Sequence, residues 1–154
     1  MLQAIEREIA IDAPLDVVWR AVTEPDQIEQ WFVTGADIEA KPGSEGSFTF
    51  RRDDGEVMRF HVTVTTVEPD RRFSYRWQHA EGTVPVDGNS VLVEFTLTPQ
   101  GTGTLLRVLE SGVERMDWPD ERQSAYVADH LDGWAGFLGK LRDLVDKQLA
   151  ARGS

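Results

Sequence analysis

Cysteine is absent from the 154 residues. That removes disulfides, thiolate metal centres and thiol nucleophiles together. Basic charge is scarce: 16 Lys and Arg against 27 Asp and Glu leave a formal net charge of −11. A field of that sign repels phosphate backbones and anionic lipid heads, so neither nucleic acid nor a membrane surface is an expected partner. No apolar run approaches the roughly eighteen residues of a membrane span. Met1 to Ala10 carries Glu6, Arg7 and Glu8 and no apolar stretch of signal-peptide length, which predicts a cytoplasmic chain. Histidine is limited to His61, His79 and His130, with no i, i+4 pair and no neighbouring ligand cluster, so no metal site is expected. Phosphate-cradling glycine loops, dinucleotide fingerprints and nucleophile elbows are also missing, and no cofactor is predicted.

What is present begins with a long helix at the C-terminal end. Val127, Leu131, Trp134, Leu138, Leu141 and Val145 step by four or three and form one apolar stripe, on a helix predicted over about 120–149. Asp129, Asp132, Lys140, Arg142 and Asp143 mark its wet side. Gly133, Gly136 and Gly139 interrupt it, each at a cost of about 0.8–1.0 kcal/mol relative to alanine. Two readings offset that cost: close approach of the helix to a sheet, or room left for a guest between them.

Upstream, the period is mostly two. Gln3–Ile11 reads as a first strand, and Asp12-Ala13-Pro14 ends it with a helix start, Pro14 suiting the first turn. Leu15, Val18, Trp19 and Val22 make a short amphipathic helix. Thr23 to Asp26 offers a capping-box pattern for a second, with Ile28, Trp31 and Phe32 on its buried side. Strands follow at Ala36–Ala40, Ser47–Arg52, Val57–Val67, around Phe73, Tyr75 and Trp77, at Val91–Leu97 and around Leu106, Val108 and Glu110. Asp53-Asp54-Gly55, Glu68-Pro69-Asp70 and Pro99–Gly103 turn the chain, and 79–90 is a polar loop. Short turns imply an antiparallel meander. The predicted class is α+β: about seven curved antiparallel strands, two short helices after the first, gripping the long helix, all in one domain over 1–154.

Glu110 is the titratable group that stands out. It shares a face with Leu106 and Val108, and a carboxyl in apolar surroundings resists ionisation, as a general acid requires. The alternative is a strand-end glutamate bonded to the next loop or to Arg107 or Arg115. His130 falls one turn before Trp134, beside the apolar stripe, where it either bonds a backbone carbonyl or faces a guest. Tyr75 and Tyr126 are candidate phenolic donors. Trp31, Phe48, Phe50, Phe60, Trp77, Phe95 and Trp134 are core or pocket wall. Trp118, in the segment 111–119, is placed as part of a lid.

The fragments Ala13-Pro14 with Val18-Trp19, Thr23-Glu24-Pro25 with Trp31-Phe32, Val67-Glu68-Pro69 with Arg72-Phe73-Ser74-Tyr75-Arg76-Trp77, Glu110-Ser111-Gly112, and Gly133-Trp134 with Leu138 stand in register over residues 5–145. In that order they resemble the START/Bet v 1-like superfamily, and within it the family named for activator homologues of the heat-shock-protein-90 ATPase. The resemblance implies a helix-grip fold. Three functions compete from here. The first is non-enzymatic binding of a small apolar molecule, lipid-like or aromatic, anchored by Glu110, Tyr75 or His130. The second is regulation of a chaperone ATPase through the outer surface, and the third a cyclase- or hydratase-type reaction using Glu110 with His130 or Tyr75. A monomer or homodimer is expected.

Overall fold

The computed structural model describes residues 4–51, 53–78 and 90–152; the predicted loop at 79–89 with His79, Arg52 and the first residues of the opening strand lie outside them. Seven strands form one antiparallel sheet: β1 (Ile5–Ile11), β2 (Gly35–Asp37), β3 (Glu45–Arg51), β4 (Val57–Glu68), β5 (Arg72–Gln78), β6 (Ser90–Gln100) and β7 (Gly103–Ser111). Their spatial order is β1-β7-β6-β5-β4-β3-β2, so the meander from β2 to β7 is completed by the first strand pairing with the last. Helices α1 (Leu15–Thr23) and α2 (Pro25–Trp31) fill the link between β1 and β2. A single 3-10 turn (Val113–Arg115) leads into α3, Asp120–Arg152.

At 33 residues, α3 runs about 50 Å along its axis. Every residue of its apolar stripe is buried, from Val127 to Val145, as the spacing requires. Alternate residues of five strands are buried on the inner face of the sheet: Phe48 of β3, Val62 and Val64 of β4, Phe73, Tyr75 and Trp77 of β5, Val93, Phe95 and Leu97 of β6, and Leu106 and Val108 of β7. The register of β4 against β5 shifts between Val64 and Thr66, a bulge that brings Val67 opposite Phe73. This is the helix-grip α+β architecture anticipated above. Among the described residues no helix is long and apolar enough to cross a membrane.

Some local expectations are corrected. Thr23 does not cap α2; it is the last residue of α1, and its hydroxyl donates to the Trp19 carbonyl at 2.7 Å. Glu24 holds the cap position, and Pro25 follows it where its missing N–H is harmless. Likewise Pro14 caps α1 rather than entering its first turn. The edge strand expected at Ala36–Ala40 shrinks to Gly35–Asp37. At its partner Gly46, an added Cβ would stand 2.0 Å from the Asp37 carbonyl oxygen, so the two strands meet only because no side chain intervenes.

The α3 glycines do not serve close packing. Among the described residues, a Cβ at Gly136 or Gly139 would meet nothing within 4 Å, and one at Gly133 would touch only Phe137, at 3.9 Å. Gly136→Ala and Gly139→Ala should therefore each raise the unfolding free energy by about 0.8–1.0 kcal/mol. Gly46→Ala should lower it by roughly 1–3 kcal/mol through overpacking against backbone. Urea titrations of the three variants check both signs.

Candidate functional site

The site starts from the alternation of β7. Leu106, Val108 and Glu110 point inward together, and Glu110 is only 3% exposed, between Ile5 of β1 and Val93 of β6. A buried carboxylate is costly unless hydrogen-bond donors replace its water. Helix α3 supplies them at steps of four. The Tyr126 hydroxyl donates to Oε2, the Trp134 indole N–H donates to Oε1 at 2.8 Å, and His130 Nδ1 lies 2.8 Å from Oε1. Residues four apart on a helix share a face, so one side of α3 is dedicated to this single side chain. Arg107, which shared the alternative reading of Glu110, pairs instead with Glu6 at 2.8 Å on the outer face.

The geometry assigns one histidine nitrogen. An ionised carboxylate only accepts hydrogen bonds, so the Nδ1 atom that faces Glu110 is the donor of that contact. The Tyr126 ring stacks on the imidazole with centroids 3.7 Å apart, and Trp77 meets the imidazole edge-on. Both tyrosine hydroxyls are held protonated. Burial pushes the Tyr75 phenol well above its usual value, and the Glu110 charge adds to it. Tyr126 moves the same way, again mainly by burial and then by Glu110.

Beside this cluster lies a groove of about 320 Å³ between the middle of α3 and the β3–β4 hairpin. Phe32, Phe50, Met58, Phe60, Trp77, Trp134 and Phe137 wall it, Gly133 leaves space in its side, and Arg51 and Asp129 stand at its rim. His130 also lines it, with 19% of its side chain exposed. The imidazole thus joins two compartments: Nδ1 faces the buried carboxylate and the remaining ring edge faces the groove.

Of the twelve residues singled out from the sequence, Phe50, Phe60, Trp77, His130 and Trp134 meet at the groove. Glu110 and Tyr126 stand one layer behind it, joined to it through His130. Phe48, Tyr75 and Phe95 are packed in the core away from it. Trp31 is held elsewhere, its indole donating to the Ala21 carbonyl at 2.8 Å. Trp118, in the segment between the last strand and the helix, packs on Tyr126 with the Arg122 guanidinium 4.0 Å above its ring.

The match to known proteins now has a structural footing. The model of the family described as "Activator of Hsp90 ATPase homolog 1-like protein" matches residues 12–146, most of the chain. The chain belongs to this family. Among solved structures, this member of the Hsp90-activator-homolog family is similar to protein MLL2253 of Mesorhizobium loti, at 32% identity over 94% of this chain and 98% of that one, with a TM-score of 0.74. It is similar to DynU16, a protein of the dynemicin biosynthetic locus, at 29% identity over 93% of this chain but 47% of that one, with a TM-score of 0.71. The Aha1 dimer of Colwellia psychrerythraea shares the fold at 23% identity, 94% and 96% coverage and a TM-score of 0.70. A search of the curated proteins returns no match.

Residues absent from the sequence-based site include Met58, Phe137 and Gly133. Met58 sits two before Phe60 and pairs with Phe50 across the hairpin, so alternation alone carried its signal. The donor stripe Tyr126, His130, Trp134 was equally visible as a four-residue repeat. Its target, Glu110 on another element, was expected to act with His130; the donors from Tyr126 and Trp134 to the same carboxylate were not foreseen.

Tyr75 and Tyr126 are the only two tyrosines in the chain. Their raised values mean that above about pH 10 the unfolded chain releases protons that the native chain still holds. Stability is therefore fully present below about pH 10 and should fall as pH rises beyond it. Phenolate absorbance in the native protein should stay flat through about pH 10 and appear only with unfolding. Two phenols ionising near pH 10 in the folded state would refute this.

Proposed function

We propose that this chain is a non-enzymatic binding protein for a small, flat, apolar ligand held in the groove between α3 and the β3–β4 hairpin. The observation that carries the reading is the groove itself: about 320 Å³, walled by aromatic rings, with His130 set among them and Arg51 and Asp129 at the rim. Ligand pockets run from about 300 to 1,000 Å³ and combine apolar walls with a few placed polar groups. The groove is at the small end, which favours a compact ring system over a long acyl chain. DynU16 belongs to a biosynthetic locus, in keeping with a small-molecule role.

Acid–base chemistry by Glu110 is the weaker reading. Its carboxylate is sealed, with 0% side-chain exposure, and three donors already occupy it. A group that cannot meet the substrate cannot exchange a proton with it directly. Regulation of an Hsp90-type ATPase through the outer face is favoured by the family match alone; with a net charge of −11 such a contact should weaken as salt is added. The dimeric Colwellia neighbour makes a homodimer the assembly to look for.

A thermal-shift screen of fatty acids, sterols and aromatic polyketides tests the binding reading. A ligand at about 100 times its Kd should add about 2.7 kcal/mol, a rise of roughly 5–10 °C in midpoint for a chain of this length. Gly133→Leu, whose side chain would project into the groove, should abolish that rise, while Gly136→Ala should keep it. If no class of compound shifts the wild type more than Gly133→Leu, the reading fails.

A further inference from the structure

The polar end of the groove is more specific than its walls. His130 Nδ1 is taken by Glu110, and His130 makes no hydrogen bond through Nε2 to any described residue. On an imidazole the two nitrogens point in nearly opposite directions, so the atom facing away from the sealed carboxylate is Nε2. His130 itself lines the groove. In a neutral ring with its proton on Nδ1, Nε2 is the acceptor. The rings on either side prevent the imidazole from turning: Tyr126 is stacked on its face and Trp77 abuts it edge-on.

An acceptor fixed in an apolar wall selects its ligand by what that ligand donates. We propose that the groove takes a flat ring system bearing a neutral, acidic hydroxyl, a phenol or an enol, and that this hydroxyl donates to Nε2 of His130. The proposal rests on the groove being the binding site and adds the chemical class of its occupant. A carboxylic acid is the wrong partner, because it ionises well below neutral pH and then only accepts. It would also enter against a net charge of −11. An ammonium group donates but must shed its water against apolar walls, and Arg51 at the rim offsets the pull of Asp129. Phenols stay protonated up to about pH 10 and keep their donor throughout the physiological range. The ring system supplies the apolar area and the hydroxyl sets its orientation.

The test compares four compounds of one shape by calorimetry on the wild-type protein: 1-naphthol, 1-methylnaphthalene, 1-naphthoate and 1-naphthylmethylamine. The naphthol should bind about tenfold more tightly than the methyl compound, the upper range for one good neutral hydrogen bond. It should also outbind the anion and the amine. In His130→Phe the ratio of naphthol to methylnaphthalene affinity should fall to near one. Should that variant fail to fold, the nitrogen-15 resonance of His130 Nε2 in the wild type carries the test, moving with naphthol and not with methylnaphthalene. Equal affinity for naphthol and methylnaphthalene, tighter binding of the anion or the amine, or an unmoved Nε2 resonance overturns the hydroxyl anchor and leaves the groove standing. Binding by none of the four removes the groove reading and this one with it.

Discussion

A negative charge buried against the central helix sets the terms for much of this structure. Glu110 is enclosed on the inner face of β7, and leaving it without donors would cost several kcal/mol. The fold meets that demand with Tyr126, His130 and Trp134, three consecutive turns of α3. Apolar stripes tolerate small rotations of a helix, because methyl groups have no direction. Hydrogen bonds do not, so these three contacts pin both the rotation of α3 and its position along its axis. Trp134 belongs to both patterns: its ring is in the core stripe, and its N–H is on the carboxylate.

Around Phe32 the interior is filled by rings, in a core that is otherwise largely aliphatic. Phe32, at the end of α2, has six aromatic neighbours with centroids 5.0–6.0 Å away: Trp31, Phe48, Phe50, Trp77, Trp134 and Phe137. Such packing contributes beyond buried area, each well-placed pair adding about 0.5–1.5 kcal/mol. Space survives between Gly133 and the hairpin of β3 and β4, where aromatic rings wall the groove.

The large features of the fold were legible from residue order because they depend on local periods. The stripe on α3, the alternation of β4 to β7 and the turns at Asp54-Gly55 and Pro69-Asp70 each follow from a few neighbouring side chains. Gly55 at φ +89 and Asp70 at φ +63 sit where those turns demand them. The inward face of Glu110 was legible for the same reason. Most of what escaped depends on distant segments. Of the partners of Glu110, His130 was foreseen but Tyr126 and Trp134 were not, and the Thr23 hydroxyl turned back to its own helix instead of forward to the next. The α3 glycines invited a packing explanation, yet Gly136 and Gly139 look onto open space.

The pairing of β1 with β7 has a bearing on how the chain comes to be folded. Ile5 pairs with Glu110 and Ile11 with Thr104, partners about a hundred residues apart. At a synthesis rate of about 5–20 residues per second, the opening strand waits roughly 5–20 seconds for its ladder partner to be made. The helix that covers the sheet emerges later still. Nascent chains therefore expose a half-built, aromatic-rich surface until β7 and α3 have been made. For a protein whose last helix carries the donors for a carboxylate in its last strand, truncation near the C-terminal end removes the cover and the counterpart of that charge together.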